Sequence, residues 1–214
     1  MKQEEPMSLQ QATNANATIV LLAAGEGRRF GGVKQLAILH GEPMVHRATR
    51  LLAETGAPVV VVIGAHAEDV EAALEDLPVY RVRNADWQTG MGTSLAAGFR
   101  HVREHFTAVT GALLCLADQP MPDATLPIRM LRRHSQAPDR LLAVAQGGTV
   151  GPPVLFPHDC FAELSVRSGA TGAQALLRRE SRRLETFAVD LLPDIDTPED
   201  LERAAGQPQH REKG

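Results

Sequence analysis

The chain has 214 residues, 43% of them hydrophobic, and a formal net charge of −4 at pH 7. That is material for one full core, and the slight acidic excess gives no global field to draw in nucleic acid or an acidic membrane. Two cysteines, Cys115 and Cys160, are too few for a disulfide scaffold, which fits a reducing cytoplasm, and the longest apolar run, Ala17 to Ala24, is far too short to span a bilayer.

Residues 1–17 carry Glu4, Glu5 and Pro6 and have no apolar h-region, so they read as a disordered lead-in and not as a signal peptide. Thr18 to Leu22 is predicted as a buried strand from its apolar, β-branched run. A helix is predicted over Pro43–Thr55, a second strand over Pro58–Gly64, a helix over Ala67–Leu74 and a weaker third strand over Val79–Val82. Thr93–His105 is the next helix, Ala112–Ala117 the fourth strand, Asp123–His134 another helix and Leu141–Ala145 the fifth strand. Near-continuous apolar strands separated by helices imply an α/β fold with a mostly parallel sheet covered on both faces. Gly151–Pro157 is predicted as an edge or antiparallel strand, because proline cannot donate in a central ladder. A helix over Gly172–Glu180, a strand near Glu185–Val189 and a helix led by Pro198 complete a single domain over 18–205. Residues 206–214 read as a second disordered tail.

In open α/β sheets, ligands bind outside the carboxyl ends of the strands, and the unusual residues of this chain fall there. Between Gly25 and Lys34 stand four glycines, two arginines and a lysine. Glycines let backbone N–H groups curl toward an anion, and Arg28 and Lys34 supply the counter-charge a polyphosphate needs. As exposed cations, both are expected to matter little for folding. A P-loop would place Ser or Thr after the lysine, where Gln35 stands; a dinucleotide fingerprint would be one residue shorter than the spacing of Gly25, Gly27 and Gly31.

After the third strand, Asn84, Thr93 and Ser94 offer short polar groups, and Gly90 and Gly92 permit close backbone approach to a planar ligand. Thr93 or Ser94 is equally suited to cap the following helix. After the fourth strand, Asp118 is placed either to hold a phosphate-bridging divalent metal or to close a turn. Other features have plainer readings. His101 and His105 lie four apart, but Val102 breaks the H-E-x-x-H pattern of a zinc helix. Arg178, Arg179, Arg182 and Arg183 read as a solvated helix face, with contact to an acceptor phosphate as the alternative. Trp87 reads as the packing anchor of its loop, with stacking on a ligand ring as the alternative.

Four segments occur in order: Leu22-Ala23-Ala24-Gly25 with Gly27, Arg28 and Lys34; Asn84 to Ser94; Asp118-Gln119-Pro120; and Asp194 to Leu201. Together they resemble the MobA-like nucleotidyltransferases, most closely the molybdenum cofactor cytidylyltransferase branch, from about Ile19 to Ala205. The resemblance implies a Rossmann-like three-layer sandwich with a mostly parallel central sheet, of the nucleotide-diphospho-sugar transferase type. It implies CMP transfer from CTP to the phosphate of molybdopterin with Mg²⁺, releasing pyrophosphate, in the maturation of a client molybdenum hydroxylase. Ala23, Ala24, Gly25, Gly27, Arg28 and Lys34 would hold the triphosphate, Asn84, Gly90, Gly92, Thr93 and Ser94 would border the base, and Asp118 would bind the metal. A guanylyl donor, a sugar-phosphate acceptor, a cofactor carrier without catalysis and a nicotinamide-linked oxidoreductase remain the alternatives. Two details refine the resemblance. The cytidylyl branch has Ala where the guanylyl branch has the second of two glycines, and this chain has Ala24. Relatives usually carry Gly-Asp-x-Gly-Ala-Arg before the late helix, whereas Gly169 is followed here by Ala170, and Gln174 replaces the arginine. Asp196 is then either the substitute carboxylate or a cap for the Pro198 helix.

Overall fold

The computed structural model describes residues 16–121, 123–169, 172–189 and 194–206. The strand after Asn16 is β1 (Ala17–Ala23), buried along its whole length. A two-stranded hairpin, β2 (Ile38–Leu39) and β3 (Glu42–Pro43), leads into helix α1 (Met44–Ala53). Then follow β4 (Val59–Ile63), α2 (Ala67–Ala72), β5 (Tyr80–Arg83), α3 (Met91–His105), β6 (Gly111–Leu116) and α4 (Thr125–Gln136). The second half holds β7 (Leu141–Gln146), β8 (Thr149–Pro157), α5 (Phe161–Leu164), α6 (Gln174–Arg179), β9 (Leu184–Ala188) and α7 (Pro198–Ala205).

Seven strands form one sheet in the order β5-β4-β1-β6-β8-β7-β9. All run parallel except β8, which is antiparallel to both β6 and β7. Successive β1 residues point to opposite faces, and both faces are covered. Val20 and Leu22 pack with Leu95, Phe99, Phe156 and Phe161 on one side; Ile19 and Leu21 pack with Val45, Leu52, Val70 and Met130 on the other. Burial on both faces is why β1, β4 and β6 read as unbroken apolar runs. At Gly98, an added Cβ would lie 2.5 Å from Cγ1 of Val20, so α3 sits on β1 at a distance only glycine allows.

The mostly parallel, two-sided sheet agrees with the pattern, and three local features depart from it. β8 is antiparallel but central. Its ladder with β6 involves Val154 to Pro157, and its ladder with β7 jumps from Val154 to Gly151, so Pro152 and Pro153 fall in the register shift where no N–H is required. α3 begins at Met91, two residues before Thr93, with Gly90 as its N-cap, so neither Thr93 nor Ser94 caps it. The β2–β3 hairpin, only two residues per strand, carries no periodic signal and was not predicted from the pattern.

The hairpin matters because of what covers it. Leu39, Met44, Ile195 and Ala204 form a small separate core, with Phe30 and Leu201 packed against it. It fastens α7 beside the loop that follows β1. α7 itself is started by a capping box between Thr197 and Asp200, with Pro198 in the first turn. Of the end segments expected to be disordered, 1–17 and 206–214, all but Asn16, Ala17 and Gly206 lie outside the described residues, as do Ala170 and Thr171; Ala17 opens β1 and Gly206 caps α7.

Candidate active site

β1 and β6 are neighbours in the sheet, so the loops leaving their carboxyl ends face each other. A cavity of about 370 Å³ opens there, lined by Ala24, Gly25, Gly27 and Arg28 from the first loop and by Asp118 after β6. Trp87, Gly90, Met91 and Ser94 close its other side. Behind it lies a smaller cavity of about 70 Å³ bounded by Ala23, Gly25, Gly27, Lys34, Gln35 and Asp118. At Gly27 the backbone has φ of +70°, and a Cβ would meet Cβ of Lys34 at 2.8 Å, so glycine is required for the loop to fold back on the lysine.

Lys34 is the centre of the charge arrangement. Its Nζ donates to Oδ2 of Asp118 at 2.8 Å and to Oδ1 of Asp196 at 3.1 Å. Arg29 donates to the other oxygen of Asp196 at 2.7 Å. Burial disfavours the Lys34 ammonium, but the Asp118 and Asp196 carboxylates outweigh it, so its pKa lies above the ordinary lysine value. Asp194, accepting from Gln119 at 2.9 Å, titrates above the usual aspartate range because it is buried, the Gln119 bond opposing and the neighbouring Asp118 and Asp196 adding to the effect. The Lys34 side chain is 10% exposed, so it is not the solvated cation expected from sequence. Arg28 is: its side chain is 81% exposed and pairs with Glu26. Asp196 does not cap α7; Thr197 does, which leaves the Asp196 carboxylate for Lys34 and Arg29.

The segment expected to border a base divides in two. Gly90 and Ser94 line the cavity. Asn84 is buried and spends its amide on the segment itself, donating to Thr93 and Ser94 at 3.0 Å each and accepting from the Asp86 N–H at 3.1 Å. Thr93 donates toward the carbonyls of Asp86 and Gly90. Gly92 faces protein: its N–H donates to Gly169, and a Cβ there would lie 2.7 Å from the Ser168 backbone. These three therefore shape the loop that carries Trp87, Gly90 and Met91. Trp87 both packs on the core and lines the cavity. Gln35, absent from the sequence-derived set, is buried and donates to the carbonyls of Ala23 and Gly25, fastening the first loop. No periodicity or spacing marks it; only its adjacency to Lys34 could have drawn attention.

Elsewhere, two arginines of the late basic cluster are engaged by acids. Arg179 pairs with Glu163 and Glu180, and Arg183 with Asp159 and Glu180. His101 and His105 stack on each other at 4.1 Å, and no group of three or more His, Cys, Asp or Glu able to hold a metal occurs among the described residues. Burial pushes the Cys160 thiol up to about 12, with Asp159 adding to it. No described helix is long and apolar enough to cross a membrane.

The MobA-like NTP transferase domain matches residues 19–185. The chain belongs to that family. Nicotine blue oxidoreductase of Paenarthrobacter nicotinovorans is 34% identical over 206 residues, covering 87% of this chain and 95% of that protein. Rv0371c from Mycobacterium tuberculosis H37Rv has a similar structure, with a TM-score of 0.72 and 25% identity over 89% of this chain and 97% of that one. Its complex with manganese gives 0.68 and 27%, over 88% and 97%. A nucleotidyl transferase from Methanothermobacter thermautotroptrophicus, Mth528, gives 0.72 at 22% identity over 87% and 94%, a likeness of fold. Family and fold together make the chain a nucleotidyltransferase of the MobA-like type, Rossmann-like and built on a mostly parallel sheet.

Proposed function

We propose that the chain transfers CMP from CTP to the terminal phosphate of molybdopterin and releases pyrophosphate, in the maturation of a client molybdenum hydroxylase. The observation that carries this reading is the meeting of Lys34 with Asp118 and Asp196, Asp118 lining the glycine-walled cleft and Lys34 the smaller cavity beside it. A phosphate oxygen of the acceptor attacks the α-phosphate in line, so the protein needs no nucleophile of its own. Its work is to position two polyanions and to offset the charge that develops between them. The turn from Ala24 to Arg28 supplies backbone donors, Lys34 a buried cation and Arg28 an exposed one at the mouth. Trp87 and Met91 give the nucleoside an apolar wall.

Two carboxylates already paired with an ammonium are hard oxygen donors arranged around a cation, so Asp118 and Asp196 fit Mg²⁺. When bound, Mg²⁺ would offset charge on the triphosphate and the departing pyrophosphate. The manganese complex of Rv0371c supports a divalent ion in this fold. Ala24 lines the cleft at the position where the guanylyl branch of the resemblance has a glycine, and its extra methyl favours a pyrimidine over a purine. The test is pyrophosphate release on incubation with each NTP, Mg²⁺ and molybdopterin. Release that requires both CTP and molybdopterin supports the reading; release with a sugar phosphate alone replaces the acceptor.

A second reading comes from the relative named for an oxidoreductase. In it, the same cleft takes a reduced nicotinamide dinucleotide. A thermal shift larger with NADPH than with CTP and Mg²⁺ would favour it.

A further inference from the structure

Lys34 occupies a place that the proposed chemistry also requires for another cation. Its Nζ touches one oxygen of Asp118 and one of Asp196, at 2.8 and 3.1 Å. The two acids come from distant segments and are held in register by a backbone bond from Ile195 N–H to the Asp118 carbonyl, 2.9 Å. The lysine side chain is 10% exposed, against 30% and 31% for the acids. The ammonium is therefore the most enclosed of the three groups, and the Asp118 carboxylate belongs to a residue that lines the cleft. A divalent ion ligated by the same two oxygens would face that ammonium at close range in a half-buried site, where like charges are poorly screened.

We propose that Lys34 is an internal counter-ion that keeps the Asp118–Asp196 pair closed to divalent cations until a triphosphate draws its ammonium away, so that cation and nucleotide enter together. This rests on reading the cleft as a nucleoside-triphosphate site. The four-carbon stem of lysine rotates freely enough to move its charge from carboxylate to phosphate without moving the backbone. The phosphates then bring the negative charge that satisfies both the ammonium and the ion. The coupling is reciprocal: whatever factor nucleotide adds to cation affinity, cation adds to nucleotide affinity. Arg29, on the second oxygen of Asp196 but 75% exposed, contributes little to this exclusion.

The test reads Mn²⁺ binding from the electron-spin signal of the free ion, without nucleotide or acceptor, in proteins checked for folding by circular dichroism. Lys34→Met should bind Mn²⁺ at least about tenfold more tightly than wild type, within the usual range of one coupling. Lys34→Arg, which keeps the charge, should bind as wild type does, and Lys34→Met with Asp118→Asn should lose the gain. Equal or weaker binding by Lys34→Met overturns the proposal. Should Lys34→Met not fold, the wild type itself decides. It has only three lysines, Lys2, Lys34 and Lys213, so the ε-¹³C resonance of Lys34 can be assigned. Mg²⁺ alone should leave that resonance in place and Mg²⁺ with CTP should shift it; a shift with Mg²⁺ alone, or none with both, overturns the proposal. Neither measurement involves turnover. A protein that transfers nothing can pass, and an active transferase can fail.

Discussion

Arg28 and Lys34 look alike in the sequence and differ in the fold, and the difference sets what each substitution does. Lys34 is buried and bonded to two carboxylates, while Arg28 stands in water beside Glu26. Lys34→Ala should cost about 2–4 kcal/mol of transition-state stabilisation, the scale for one preorganised charged donor. Arg28→Ala should cost far less, since water and salt screen an exposed cation. Steady-state kcat/KM for pyrophosphate release checks both, and equal losses would place Arg28 on the triphosphate in the working complex. At Ala24 the prediction concerns choice of base. CTP should exceed GTP by about 10- to 100-fold in kcat/KM, the reach of one methyl-sized difference, and Ala24→Gly should bring the two together. A ratio unmoved by Ala24→Gly would assign base choice to another wall of the cleft.

At the level of elements, the loop after β5 is held from behind by α3 and by the backbone at Ser168 and Gly169. A Cβ on Gly92 would lie 2.7 Å from Ser168 and 2.9 Å from the Gly169 carbonyl, and backbone cannot give way as a side-chain tip can. Gly92→Ala should therefore lower stability by about 1–3 kcal/mol, as overpacking does, read as a drop in Tm by calorimetry. The β2–β3 hairpin is fastened differently, by charge. Glu42 accepts from Arg50 at 2.6 and 3.2 Å and meets His46 at 2.9 Å. The Arg50 bonds lead in holding its carboxyl down to about 2, against a smaller effect of burial and with His46 assisting. The carboxyl is lowered on folding, so its stabilisation is complete above its unfolded value, about 4.5, and fades as pH falls toward 2. Urea unfolding of Glu42→Gln should accordingly show a weaker loss of stability between those pH values than wild type. Parallel curves would mean that the hairpin does not unfold with the rest of the domain.

The whole molecule brings Asp118 and Asp196 together across 78 residues of chain by packing α7 onto the hairpin. With alanine at 170, where the resemblance implies an acid, the proposed Mg²⁺ would rest on those two carboxylates, the substrate phosphates and its own waters, an arrangement Mg²⁺ tolerates because it keeps several waters. The enzyme should be active and require more Mg²⁺ than its relatives. Ala170→Asp should lower the Mg²⁺ concentration giving half-maximal pyrophosphate release. A wild type that binds CTP yet is inactive at every Mg²⁺ level would instead be a relative that keeps the fold without the transfer.

The apolar runs of β1, β4 and β6 determined the layered, mostly parallel sheet, because strands buried on both faces leave no polar alternation to confuse the reading. The glycines and cations between Gly25 and Lys34, and the aspartate after β6, were legible for the same local reason: ligand chemistry in this topology collects just beyond the strand ends. Tertiary structure decided the rest. The central place of β8 depends on a register shift at Pro152 and Pro153, which only the partner strands define. Asn84 and Thr93 carry polar groups suited to a ligand, but whether they meet one depends on which way the loop turns, and it turns them onto each other. Gln35 looked like an ordinary polar residue until the carbonyls of Ala23 and Gly25 came within its reach. Asp196 was ambiguous between cap and cleft because both ask only for a carboxylate near Pro198; the capping box of Thr197 and Asp200 settled it, and the packing of α7 carried the free carboxylate to Lys34. Local sequence fixes backbone preference and burial, whereas the partners of a charged side chain are set by which distant segments the fold brings to it.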